Sequence, residues 1–212
     1  MKVNFTYDKS KDVWCLLNKG RSSNNSSKPT KQYELLFERC GENSSEAEVA
    51  SFIDTYIAEN KINVDEYVNE FQSDWDKISA DFHGRAQDIF NTELPKGITA
   101  FLTINSRCPY NIEEKFFFVS MQETQPRRVA MHELWHFYTW YGLGAEQKEQ
   151  LGKEKYNKLK ESLTVLLNVE CSDLYSEGIF DTVTEWIADT TPDRVVKGVL
   201  VIEPEEIHEI SL

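Results

Sequence analysis

The 212-residue sequence predicts an α+β fold in which a small mixed sheet is backed by one long helix and followed by two more helices. Three observations lead there. Residues 63–90 carry Val64, Tyr67, Val68, Phe71, Trp75, Ile78, Phe82, Ala86 and Ile89 along one stripe at helical spacing. Residues 98–104 and 115–121 are short runs rich in apolar, aromatic and β-branched side chains, and they read as strands. Residues 126–142 return to a helical texture, with Pro126 in the first turn and Gly142 just beyond the end.

Taken in order, residues 3–17 read as a hairpin, two short strands around the polar turn Asp8-Lys9-Ser10-Lys11-Asp12. Residues 18–31, rich in Gly, Ser, Asn and Lys with Pro29, read as a loop. Residues 33–40 and 46–59 have helical periodicity, and Ser45 is placed to cap the second segment. Gly84 is a point where the long helix could be interrupted, and Pro95-Lys96-Gly97 closes that half of the chain. Arg107 to Asn111 reads as a turn between the two strands. A helix over 153–169 follows the motif segment, with Leu159, Leu163, Leu166 and Leu167 on one side. Beyond Cys171 a short helix at 182–188 and a strand at 199–202 are expected. With no repeat and no clear linker, residues 1–212 read as one domain: an N-terminal part (1–95), a core (96–170) and a C-terminal tail (171–212).

Composition narrows the function classes. The 23 Lys and Arg against 36 Asp and Glu leave a formal charge of −13. Such a surface repels phosphate backbones and anionic lipid and attracts cationic peptides, so neither nucleic acid nor membrane is expected as a partner. The first residues form no apolar leader, and no stretch is long enough to span a bilayer. Cys15, Cys40, Cys108 and Cys171 are widely spaced, which fits reduced thiols and a cytoplasmic location.

The chemistry concentrates in His132-Glu133-Leu134-Trp135-His136. Residues four apart on a helix share a face, so the two imidazoles can take two corners of a zinc tetrahedron. Glu133 points to the side of the metal, where it can take a proton from the attacking water and return it to the leaving group. Met131, Leu134, Trp135, Phe137 and Tyr138 surround the motif, and histidines buried without partners are costly, which favours ligation. The metal then needs a third ligand and an open position. His83 and His208 lie in poor places for it, and Gly142 stands six residues after His136. An acidic residue on the next helix remains, either Glu161 or Glu170. On a helical wheel Glu161 lies opposite the leucine stripe, whereas Glu170 falls within it.

With Glu161-Ser162-Leu163-Thr164 following at helix–loop–helix distance, the chain resembles the gluzincin family of zinc peptidases over roughly residues 98–169. The resemblance implies a zincin-like fold with an active-site helix and a third-ligand helix. It implies bound zinc held by His132, His136 and Glu161, Glu133 as catalytic base, and a peptide or protein substrate. It also implies an edge strand above the site, for which residues 115–121 are placed; the alternative for that segment is a central core strand. The family often carries an Asp four residues after its glutamate ligand to orient a histidine. Here that position is Val165, and Asn168 or Thr164 is the expected substitute. Tyr110, Tyr138, Tyr156 and Tyr175 are candidate donors to a developing oxyanion. Two other readings stay open: a zinc hydrolase of a non-peptide amide, and an inactive zinc-binding homologue that binds peptides or a partner.

Overall fold

The computed structural model describes residues 2–20 and 28–175. The expected helix at 182–188, the strand at 199–202 and His208 lie outside the described residues.

The first strand, β1 (Asn4–Tyr7), leads into a helix rather than a hairpin. Asp8 decides this: its side chain accepts the backbone N–H of Ser10 and Lys11 and caps α1 (Lys9–Cys15). Asp12, Val13, Cys15 and Leu16 are then buried at a helical spacing that a strand would have split between two faces. One π-helical turn (Leu16–Gly20) extends α1 into the segment expected to be loop. Helices α2 (Lys31–Cys40) and α3 (Glu46–Glu59) follow as the periodicity required. Ser45 caps α3 through a full capping box with Glu48.

Helix α4 (Val64–Phe90) runs 27 residues without interruption at Gly84 and ends at Asn91 in the left-handed conformation (φ 47°). Strands β2 (Thr99–Thr103), β3 (Tyr110–Asn111) and β4 (Phe116–Ser120) complete a sheet of order β1-β2-β4-β3. β1, β2 and β4 are parallel and β3 pairs antiparallel with β4, so the small mixed sheet is present with a different first partner. The antiparallel turn is closed at Lys115, which takes φ 58°.

β4 is therefore central, not an edge. All five of its residues are buried, because the sheet is covered on both faces. Phe117 and Val119 join Ala100, Leu102 and Phe5 in the main core against α4. Phe116 and Phe118 point the other way, where Phe118 stacks on Trp14 of α1 at 6.0 Å. Two-sided burial explains three consecutive phenylalanines. The edge beside β4 belongs to β3, in the segment expected to be only a turn.

After β4 the chain enters α5 (Pro126–Thr139), with proline in its first turn. A π-helical turn (Trp140–Gly144) joins it to α6 (Ala145–Glu170), which kinks at Gly152 (φ 74°). Gly142 thus lies inside the connection rather than beyond a helix end. A Cβ there would sit 2.9 Å from the Phe90 carbonyl oxygen, so the turn presses on the end of α4. Among the described residues no helix is long and apolar enough to cross a membrane, and none of the four cysteines is in a disulfide.

Candidate metal centre

Helix α5 is held in place by its apolar residues. Ala130, Met131, Leu134, Trp135, Phe137 and Tyr138 are all fully buried. Trp135 reaches α6, its indole N–H donating to the Leu163 carbonyl at 2.9 Å. At its N-terminal end Arg127 forms a partly buried ion pair with Asp74 of α4, Nε lying 2.6 Å from Oδ2. Arg85 of α4 ties down the far end of α6 by donating to the Glu170 carbonyl and pairing with Asp173. The helix carrying the motif and the helix carrying the acidic candidates therefore meet in a single register.

In that register His132 and His136 face each other, Nε2 to Nε2, at 3.1 Å. Glu161 Oε1 lies 3.7 Å from His136 Nε2. These atoms all lie within 4.8 Å of one another. Two nitrogens bonded tetrahedrally to zinc at ~2.05 Å would be ~3.3 Å apart, close to the separation seen. The group that comes together contains Glu161 and not Glu170, which lies at the Arg85 end of the helix. The residues of α6 that turn inward are Tyr156, Leu163 and Leu167, while Leu166 is exposed. The inner face is thus rotated from the leucine stripe, and Glu161 sits at its border. His83 stays apart, buried with Nδ1 2.8 Å from the Tyr138 hydroxyl.

The electrostatics favour uncharged imidazoles. Burial pushes His136 down to about 2, with the nearby Lys160 ammonium adding to the effect. Burial also lowers His132, partly opposed by Glu161. The short His136–Glu161 approach is therefore not an ion pair, and both rings have lone pairs available for a metal. Glu133 is buried, and desolvation raises its carboxyl to about 8. Its Oε2 is buried and makes no hydrogen bond among the described residues.

Around these residues the substitutes expected for the missing aspartate fail. The Thr164 hydroxyl donates to the Glu161 carbonyl at 2.6 Å, and Asn168 accepts from the Tyr175 hydroxyl at 2.5 Å. His136 Nδ1, buried, has no hydrogen bond from either. Two other residues are present instead. Tyr110 on β3 lies against the His136 ring, centroids 5.1 Å apart, and its hydroxyl accepts from Lys160 Nζ at 2.7 Å. Lys160 Nζ is also 2.9 Å from Glu161 Oε1. Of the four tyrosines the sequence offered, Tyr110 stands at the centre. Lys160 was missed. Its signal was legible, since 156, 160, 163 and 167 follow one helical stripe and a lysine interrupts it.

No protein-family model matches this sequence, and no curated protein or solved structure is detectably similar to it.

Proposed function

We propose that this chain is a zinc-dependent hydrolase, a metallopeptidase of gluzincin type with a zincin-like fold. The observation that carries the reading is the convergence of His132, His136 and Glu161 from two helices to within 4.8 Å. Two neutral imidazoles and one carboxylate form a donor set suited to zinc, and three protein ligands leave a position open. When bound, zinc supplies Lewis acidity and makes water a nucleophile near neutral pH. Glu133, on the same helix turn, accepts the proton of the attacking water. Burial, which favours the protonated carboxyl, helps it hold that proton until it passes to the leaving amine. The peptide preference is supported by β3, an edge strand, whose Tyr110 lies against His136. Extended substrate main chain added at that edge would run past the ligands. Cysteines outside any disulfide suit a reducing cytoplasm.

The test is elemental analysis of the purified protein, followed by incubation with a mixed peptide library read by mass spectrometry. One zinc per chain is expected, with cleavage that a chelator abolishes and added zinc restores. A chain that takes up no zinc overturns the metal assignment. A zinc-loaded chain that cleaves nothing overturns the enzymatic one, and the binding-module reading would replace it.

A further inference from the structure

The charges beside the candidate ligands run against the rest of the molecule. The chain carries a formal −13, yet two cations act on His132, Lys160 and Arg128. Lys160 is only 12% exposed, while the Glu161 carboxylate it contacts is 56% exposed. A single oxygen, Glu161 Oε1, serves both the ammonium at 2.9 Å and the approach to His136 at 3.7 Å. A metal drawing on that oxygen would take away part of the counter-charge on Lys160. The metal-loaded site would then hold a largely buried ammonium with too little negative charge beside it. The Tyr110 hydroxyl cannot supply the deficit, because it is neutral. It accepts from Lys160, so its own proton is free to be donated away from the ammonium.

We propose that Lys160 and Tyr110 form an anion-binding subsite beside the metal ligands, and that it holds a carboxylate carried by the substrate. The inference rests on the metal-site reading above. Two donors whose heavy atoms are 2.7 Å apart match the paired oxygens of a carboxylate, one taking an ammonium N–H and the other a phenolic O–H. The strongly acidic surface disfavours more highly charged anions such as phosphate esters. A peptide with a free C-terminal carboxylate brings a single negative charge to this point, and its amide brings none. Lys160 thereby selects among substrates while Glu133 does proton transfer.

The probe is benzoyl-glycyl-alanine as the free acid and as its C-terminal amide. Binding to the zinc-loaded chain would be measured by calorimetry, alongside zinc content and thermal unfolding for each variant. The acid should bind about tenfold or more tightly than the amide, a difference typical of a charge-assisted pair. Lys160→Met should erase that preference with zinc retained, Tyr110→Phe should reduce it, and Lys160→Arg should keep most of it. Equal binding of acid and amide overturns the proposal, as does a preference unchanged in Lys160→Met, or no binding of the acid at millimolar concentration. Failure of the parent chain to take up zinc would instead remove the metal-site reading.

Discussion

Glu161 and Glu170 lie on the same helix nine residues apart, and exchanging either for alanine separates the metal site from general helix stability. In Glu161→Ala the carboxylate oxygen 3.7 Å from His136 Nε2 disappears. The Lys160 ammonium also loses its partner at 2.9 Å and faces the metal uncompensated. Both changes weaken zinc. Even loss of a residue that only orients a ligand lowers affinity about 10- to 100-fold, so removing the ligand should cost at least about 100-fold, or ~2.8 kcal/mol. Fold stability without metal should change little. Glu161 is exposed and its ion pair is half in solvent, so less than about 1 kcal/mol is at stake. Glu170 engages Arg85 through its backbone carbonyl, which alanine keeps, so Glu170→Ala should bind zinc like the parent. Zinc affinity by competition with a chromogenic chelator, with chemical denaturation of the apo-proteins as control, measures both quantities. If Glu161→Ala keeps parental affinity while Glu170→Ala loses it, the register read from Trp135 and Leu163 is wrong.

Three further outcomes follow from particular contacts. Glu133→Gln should retain zinc and fold but lower peptide hydrolysis at least about 100-fold, because the amide keeps the shape and cannot accept a proton; unchanged turnover in a steady-state assay would refute its role as base. Asp12 is fully buried, accepts from Thr103 at 2.5 Å and from the Ile104 N–H, and is pushed up to about 7, chiefly by desolvation. Its folded value lies above the ordinary 3.8, so its contribution is full below about pH 4 and is lost as pH rises through 7, on the order of 4 kcal/mol. Asp12→Asn should flatten that part of the stability profile in urea titrations, and an unchanged slope between pH 4 and 7 would contradict the assignment. Arg127→Ala leaves Asp74 partly buried beside Lys77 alone and should cost about 2 kcal/mol in thermal or urea unfolding; a loss below ~0.5 kcal/mol would mean the pair is decorative.

Several features of this chain are determined within a few turns of the sequence itself. The apolar stripe of α4, the capping box at Ser45 and the proline opening α5 are local signals, and each element formed where its signal stood. So did the pairing of His132 with His136, because one turn of helix separates them whatever surrounds it. The N-terminal segment shows where local reading fails. Val13 to Leu17 has strand-like composition, yet the Asp8 cap and the burial of Asp12 against β2 make it helical. Tertiary structure alone decided that β4 is central, since a run of phenylalanines does not say whether both its faces will be covered. It alone brought Glu161, and not Glu170, beside the two histidines. The leucine stripe marks an apolar side of α6, but Trp135, Arg85 and the kink at Gly152 set which side meets α5. It also brought the Tyr110 hydroxyl within 2.7 Å of Lys160 Nζ, fifty residues away in the chain. Periodicity and capping are short-range energies that each segment expresses alone. The rotation of one helix against another is the minimum of a packing energy summed over residues scattered through the chain, and it exists only once they are assembled.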